Sequence, residues 1–250
     1  MALSQDIIRQ RVFSNTLFDE KETSRIYNKY FVHKSRLLRT LLERYDLGQK
    51  RVLEIGSAYG FDLIHFGAGS VGLDVRETYR KFGASIGLDI REANVEADLP
   101  TFEQPFEAVY CSNLVEHLVA PHLFLLRLHR LLTPNGLICI RVPITPHPWV
   151  FVLYKLAGKA HGFDQLEHVN FFTPLTFRWT VERAGYRVLG QHSPILATLP
   201  WLDPVAPLIA PLLPSTLVVA EKIADFKYPR ERMAMFNPPY APEILPYYIE

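Results

Sequence analysis

The sequence of 250 residues predicts a doubly wound α/β fold with a mostly parallel sheet. Short apolar runs alternate with helical patterns between residues 51 and 142, which is typical of strands covered by helices on both faces of a sheet. A glycine-bracketed loop, Gly56 to Gly60, follows the first run, and the second run ends in an acid, Asp74. Small residues in such a loop let the backbone approach a ligand closely. We therefore expect a nucleotide-like ligand beside the first two strands.

Helical and strand patterns follow one another along the chain in the order that this fold requires. Helical spacing of apolar residues predicts helices over 24–47, from near Gly60 to before Gly67, and over 77–84, 122–132 and 174–184. Apolar runs predict strands at 51–55, 71–74, 88–93, 108–112, 137–142, 186–191 and 216–221. The run Thr133-Pro134-Asn135-Gly136 predicts a turn between the fourth helix and the fifth strand.

Composition and charge are those of an ordinary globular protein. Hydrophobic residues make up 48% of the chain, and the net charge of +1 gives no bulk electrostatic reason to expect a nucleic-acid partner.

Cys111 and Cys139 lie in apolar runs, so we expect two buried thiols and neither a disulfide nor a metal site. The N-terminus has no signal-peptide pattern, so a cytoplasmic location is expected.

Three parts of the chain differ in pattern. Residues 1–23 form an N-terminal extension, residues 24–224 form the α/β domain, and residues 225–250 form a tail rich in proline and aromatic residues. Insertions near 143–167 and 195–215 interrupt the domain, and both are apolar and punctuated by prolines. Proline is so frequent between Ile195 and Ala220 that one continuous membrane-spanning helix is not expected there.

Four motifs carry a family resemblance through their order and spacing. They are Glu54-Ile55-Gly56-Ser57-Ala58-Tyr59-Gly60, then Asp74, then Asn94 to Pro100 with Phe106 to Val109, and then Cys111 to Leu118 with Leu131 to Leu137. Together they resemble the motifs of class I S-adenosylmethionine-dependent methyltransferases that act mostly on small molecules. Ala58 stands where the family commonly has glycine, and Asn94 where it commonly has aspartate.

The resemblance implies a fold, a cofactor and a set of binding residues. The fold is a Rossmann-like, seven-stranded sheet with one antiparallel strand near the C-terminal end, and the cofactor is S-adenosylmethionine. Asp74 would accept hydrogen bonds from the ribose, Asn94 would bind the adenine, and Glu54 would lie near the cationic groups. The implied cofactor-binding residues are Glu54, Gly56, Ser57, Ala58, Tyr59, Gly60, Asp74, Val75, Asn94, Val95, Ser112 and Asn113.

Histidines are the candidate catalytic residues. His117 in the Glu-His-Leu element and His168 are candidate general bases, because an ordinary imidazole titrates near neutral pH. Packing or anchoring a loop is the alternative role for each of them. His147 and His161 lie in the first insertion and could reach a substrate. No set of metal ligands is predicted.

Two other functions and the nature of the acceptor stay open at this point. A nicotinamide-dependent oxidoreductase would need a third loop glycine, where this chain has Leu63. A non-catalytic protein that keeps the fold is the other alternative, since the chain departs from the family pattern at Ala58 and at Asn94. The apolar insertions favour a small hydrophobic acceptor, of lipid or glycan type, and a peripheral contact with a membrane surface. The oligomeric state is not predicted.

Overall fold

A computed structural model describes residues 5–29, 35–145, 167–193 and 215–228, together with positions 152, 155 and 156. The strands in these residues are β1 (Val52–Ile55), β2 (Val71–Leu73), β3 (Ile90–Arg91), β4 (Phe106–Ser112), β5 (Leu132–Pro143), β6 (Tyr186–His192) and β7 (Ser215–Lys222). The helices are α1 (Gln5–Phe13), α2 (Glu20–Tyr27), α3 (Ser35–Arg44), α4 (Glu77–Ser85), α5 (Pro121–Leu128) and α6 (Pro174–Arg183). Short 3₁₀ turns occupy Leu63–His65, Val115–His117 and His129–Leu131.

Within the described residues the strands form a seven-stranded sheet in the order β3-β2-β1-β4-β5-β7-β6. Strands β1 to β5 pair in parallel, whereas β7 runs antiparallel to both of its neighbours. The predicted doubly wound sheet with one antiparallel strand near the C-terminal end is therefore confirmed. The strand order reverses between β1 and β4, and open α/β sheets bind ligands at the carboxyl ends of strands at such a point.

The N-terminal helix packs onto the part of the molecule that follows β1. Ile8 and Val12 of α1 are fully buried and share an apolar cluster with Tyr59 and Phe82. Arg11 of the same helix donates to the carbonyls of Ile86 and Gly87 just after α4, at 2.6 and 2.8 Å. The first helix thus buries its apolar face against the loop in which the sequence predicts a ligand site.

Two predicted helices have different limits in the structure. The helix expected from Gly60 is only the 3₁₀ turn Leu63–His65, and Gly60 itself has a φ of +74°, outside the right-handed helical region. The helix predicted over 24–47 lies in α2 and α3, with residues 30–34 outside the described part of the chain. Helix α2 begins earlier than expected, since the Asp19 carboxylate caps it by accepting from the Glu22 backbone N–H.

The other differences lie in two strands and one helix. The turn predicted at 133–136 is a bulge inside β5, because Phe106 of β4 aligns with Leu132 whereas Ala108 aligns with Leu137. The third strand contains two residues instead of the six predicted, since β2 offers it pairing partners only at Gly72 and Leu73. The fourth predicted helix is also shorter than expected, since α5 ends at Leu128 and the 3₁₀ turn His129–Leu131 follows it.

Some predictions concern residues outside the described ones. These are most of both insertions, His147, His161 and the tail beyond Tyr228. In the described part of the chain, no helix combines the length and the hydropathy needed to cross a bilayer.

Candidate functional site

The loop after β1 is tied to the adjacent strand β2 by its own backbone. The amides of Gly56 and Ser57 donate to the Leu73 carbonyl at 2.9 and 3.1 Å, and the Gly60 amide donates to the Ser57 carbonyl at 2.8 Å. Gly56 has a φ of +75° and is exposed, so its backbone is open to close approach by a ligand. The loop is therefore a preformed cradle at the point where the strand order reverses.

Asp74 is held beside this cradle by two backbone donors. Its Oδ2 accepts from the Ala58 amide at 2.9 Å, and its Oδ1 accepts from the Arg76 amide at 2.9 Å. Ala58 has a left-handed φ of +47°, which turns its N–H toward the carboxylate. Because an ionised carboxylate has about four acceptor sites, Asp74 keeps acceptor capacity for a pair of hydroxyl groups.

Two carboxylates lie beneath the carboxyl ends of β1 and β4. Glu54 on β1 and Glu116 in the 3₁₀ turn after β4 are 4% and 1% exposed. Both raise the pKa of the buried Cys111 thiol, which burial itself raises most strongly. Both negative charges therefore lie near Cys111, toward the carboxyl end of β4.

The structure places the other predicted cofactor-binding residues around the same edge. Asn94 is exposed, and its Oδ1 accepts from the Glu96 amide at 3.1 Å in a turn after β3. Val95 is 8% exposed, and Val75 is 59% exposed. Asn113, with a φ of +55°, donates its amide to the Arg141 carbonyl at 3.0 Å, directly after Ser112 ends β4.

Tyr59 and Ser57 point away from the open side of the cradle. The ring of Tyr59 is 9% exposed and lies 4.5 Å from that of Tyr79 and 5.3 Å from that of Phe82. Ser57 is 4% exposed, and its Oγ lies 3.4 Å from the Leu73 carbonyl. These two side chains pack on the buried side of the loop, while the backbone of the loop faces solvent.

A pocket of about 250 Å³ opens beside the turn after β3 and the start of α5. Its lining is mostly apolar and comprises Val95, Glu96, Leu118, Val119, Ala120, Leu123, Phe124 and Arg127. Glu96 crosses its rim, where its carboxylate accepts from the Val119 amide. The pocket thus adjoins the predicted adenine-binding turn and could receive a flat, apolar group.

The two candidate histidines come together although they are distant in sequence. The ring centroids of His117 and His168 are 4.8 Å apart, and His117 Nδ1 lies 2.9 Å from the Glu167 carbonyl oxygen. Burial, and then the neighbouring His117, lower the pKa of His168. Burial also raises the pKa of Glu116, whose Oε1 lies 3.8 Å from His117 Nε2. The sequence predicted both histidines but not their contact.

Backbone hydrogen bonds hold the segment that carries His168. The Val169 and Asn170 amides both donate to the Glu116 carbonyl at 3.0 Å, and Asn170 Nδ2 donates to the Leu118 carbonyl. Residues on both sides of His168 are therefore fixed to the 3₁₀ turn after β4. The position of His168 beside His117 follows from this pairing.

Sequence reasoning missed Glu116 and Arg141 as site residues. Glu116 directly precedes His117 in the chain, and this acid–histidine pair is a signal that could have pointed to it. Arg141 lies opposite Ser112 in the β4–β5 register, and its positive charge counteracts the rise in the pKa of Glu116. No local pattern marks Arg141, because only the strand register brings it to this edge.

Comparisons with known proteins place the chain in a family. A family model described as "Methyltransferase domain" matches residues 26–191. No match was found among curated proteins.

Solved structures share the fold at low sequence identity. An S-adenosylmethionine-dependent methyltransferase from Mesorhizobium loti is 15% identical, with a TM-score of 0.55 over 77% of this chain and 99% of that one. Another from Archaeoglobus fulgidus is 16% identical, with a TM-score of 0.54 over 82% of this chain and all (100%) of that one. The cyclase SpnF is 14% identical, with a TM-score of 0.54 over 75% and 80%.

A cyclase and two methyltransferases share this fold, so the fold alone does not specify the reaction. The residues at the carboxyl edge of the sheet determine it. The family match spans more than half of the chain and includes the cradle, Asp74 and the His117–His168 contact. The chain belongs to the methyltransferase domain family.

Proposed function

We propose that this protein transfers a methyl group from S-adenosylmethionine to a small hydrophobic acceptor. The observation that carries the proposal is the Asp74 carboxylate, which two backbone amides fix beside the open loop after β1. A ribose diol needs an acceptor of this kind, and the loop backbone needs only to approach an uncharged sugar.

The electrostatics of the site favour this cofactor over a dinucleotide. A pyrophosphate is bound by the amides and dipole at the N-terminus of a helix. Here the loop is followed only by the three-residue 3₁₀ turn Leu63–His65, which cannot supply such a terminus. Glu54, buried at the end of β1, instead provides a negative charge that suits a sulfonium and an ammonium group.

The main task of the protein in this reaction would be to position the acceptor atom in line with the methyl group. When bound, the sulfonium supplies an activated methyl group, and the acceptor forms its new bond to carbon as the bond from carbon to sulfur breaks. Asp74 and the cradle would fix the cofactor, while the segment after Glu167 would border the acceptor and limit access of water. A proton has to leave only when the acceptor is a hydroxyl or a similar group.

Exposed apolar side chains around His168 support a hydrophobic acceptor. Val169 and Phe171 are 55% and 65% exposed, and Val119 across the turn is 80% exposed. We also propose that these side chains allow peripheral contact with a membrane on which such an acceptor resides. Flotation with anionic vesicles tests this part: an absence of co-flotation together with full activity on a soluble polar acceptor would contradict it.

Calorimetric titration with S-adenosylhomocysteine and with NADH, in parallel, tests the cofactor assignment. We expect saturable heat with the first ligand only; heat with NADH alone would overturn the assignment in favour of an oxidoreductase. Transfer of a labelled methyl group into a metabolite extract then tests catalysis and identifies the product. Binding of S-adenosylhomocysteine with no labelled product from any extract would favour a non-catalytic protein.

A further inference from the structure

We infer that Glu116, His117 and His168 form a binding site for a divalent transition-metal ion of the Zn²⁺ type. One potential ligand atom from each of the three residues lies within 4.8 Å of the other two. The site uses the two histidines as ligands rather than as bases, and the inference does not depend on the methyl-transfer proposal.

Glu116 is the first observation that points to a cation. Its side chain is 1% exposed, and neither carboxylate oxygen has a hydrogen-bond partner among the described residues. A buried carboxylate is costly unless it is paired or bound to a metal. A cation between Glu116 and the two imidazoles would bind one of these oxygens and balance the carboxylate charge without a new side-chain donor.

His117 is oriented in the way that metal-bound histidines usually are. Its Nδ1 lies 2.9 Å from the Glu167 carbonyl oxygen, which can only accept, so Nδ1 carries the proton and donates it. The lone pair is then on Nε2, which lies 3.8 Å from Glu116 Oε1. A backbone carbonyl that fixes the tautomer of a ligand is the common outer support of zinc-bound imidazoles.

The distances leave room for an ion but require a small contraction. Zinc bonds of about 2.0–2.2 Å place tetrahedral ligand atoms roughly 3.3 Å apart. The Oε1–Nε2 distance of 3.8 Å exceeds this separation by about 0.5 Å, and the overall limit of 4.8 Å exceeds it by at most about 1.5 Å. Rotation of the partly exposed His168 side chain can shorten its distances to the other two ligand atoms while its backbone stays fixed by neighbouring residues.

The chemistry of the donor set selects the class of metal. Two imidazole nitrogens and one carboxylate oxygen suit Zn²⁺ and similar ions, whereas Mg²⁺ and Ca²⁺ prefer oxygen ligands throughout. Three protein ligands also leave a position on the ion for an oxygen or nitrogen of a small molecule.

Metal binding to the full-length protein, freed of metal with a chelator, tests the inference directly. Zn²⁺ is added in competition with a chromophoric chelator, Co²⁺ is followed by its visible absorption bands, and Mg²⁺ is titrated in parallel. We expect one equivalent of Zn²⁺ to bind, and Co²⁺ bands typical of coordination by nitrogen and oxygen. Mg²⁺ binding at comparable affinity would contradict the donor-set argument.

Substitutions then assign the ligands. Glu116→Gln and His168→Ala should each weaken Zn²⁺ binding by at least tenfold, whereas His192→Gln, which removes a histidine paired with Tyr45 outside the cluster, should not change it. Thermal unfolding and S-adenosylhomocysteine titration confirm that each variant is folded with its cofactor site intact. Absence of a stoichiometric site, or equal affinity in all variants, would overturn the inference. Loss of S-adenosylhomocysteine binding with intact Zn²⁺ binding would instead contradict the proposed function alone.

Discussion

At the scale of single residues, backbone donors and burial set the behaviour of the site. Asp74 is useful because two amides fix its orientation, and Glu116 is unusual because it is a buried acid. The sequence was sufficient to nominate Asp74, since an acid at the end of the second strand commonly accepts hydrogen bonds from a ribose in this fold. It was not sufficient to nominate Glu116, since the burial of its side chain is a result of tertiary packing.

Replacement of Asp74 should weaken cofactor binding. In Asp74→Ala the ribose loses its acceptor and the Ala58 amide loses its partner, so we expect the affinity for S-adenosylhomocysteine to fall by at least tenfold. The matched control is Asp89→Ala, which removes an exposed acid paired with Arg91 near the start of β3. Calorimetry measures both; equal affinities in the two variants would refute the role of Asp74.

Acid should destabilise the protein partly through His129. Its Nε2 lies 2.8 Å from the Ala184 carbonyl oxygen, and burial lowers its pKa to about 4. Above about pH 6.5 the His129 imidazole is neutral in both the folded and the unfolded state. Between about pH 6.5 and 4 it binds a proton only in the unfolded state, so the free energy of unfolding decreases as the pH falls. The slope from this group approaches at most about 1.4 kcal/mol per pH unit.

Urea unfolding at a series of pH values measures this slope. His129→Asn keeps a side-chain donor but has no titrating group, so its stability should fall less steeply than that of the wild type over the same range. Parallel curves for the two proteins would show that His129 does not contribute.

At the scale of elements, the loop after β1 and the strand edges decide where chemistry can occur. The sequence predicted the strands well, because apolar runs bounded by glycine and acids depend on local pattern. It failed at the helix after Gly60 and at the bulge in β5, because apolar spacing does not determine the conformation of that loop, and a strand register is a tertiary property. The His117–His168 contact was unpredictable for the same reason.

The two loop glycines should respond differently to alanine. Both have φ near +75°, so each substitution costs about 1–3 kcal/mol in backbone strain. A Cβ at Gly60 would also lie 2.6 Å from Leu88 Cδ1, whereas a Cβ at Gly56 meets only Leu114 atoms at 3.7 Å or beyond. Gly60→Ala should therefore be the more destabilising by about 1 kcal/mol or more.

Urea denaturation and S-adenosylhomocysteine titration separate these effects. Gly56→Ala should show the larger loss of affinity per unit of lost stability, because its backbone faces the proposed ligand. A Gly56→Ala variant with unchanged affinity would contradict the placement of the cofactor over this loop.

At the scale of the whole molecule, the N-terminal helix and the ligand cradle share one apolar cluster. Ile8, Val12 and Ile26 pack with Tyr59, which belongs to the cradle, and with Phe82 of α4. A disturbance in α1 can therefore reach the loop through Tyr59. The sequence showed only an extension at 1–23 and no clear reason for it to be tied to the site.

Two matched valines test this coupling. Val12→Ala and Val181→Ala each remove two methyl groups from a fully buried side chain, at a cost of about 2 kcal/mol each. Val12 lies in the cluster with Tyr59, whereas Val181 lies in the main core cluster on α6, a helix that packs against β6 and β7. We expect similar losses of stability, but a weaker affinity for S-adenosylhomocysteine only in Val12→Ala. Equal affinities would show that α1 stabilises the fold without influencing the loop.

The two cysteines give the central sheet a built-in chemical reporter. Cys111 and Cys139 are fully buried and free of disulfides on the adjacent strands β4 and β5, and burial raises the pKa of Cys139 to about 12. An alkylating reagent attacks only the thiolate, so it can modify these positions only when the packing that covers the faces of the sheet opens. The rate of alkylation therefore reports how often the core packing around the sheet opens. A ligand bound at the edge of the sheet should lower that rate.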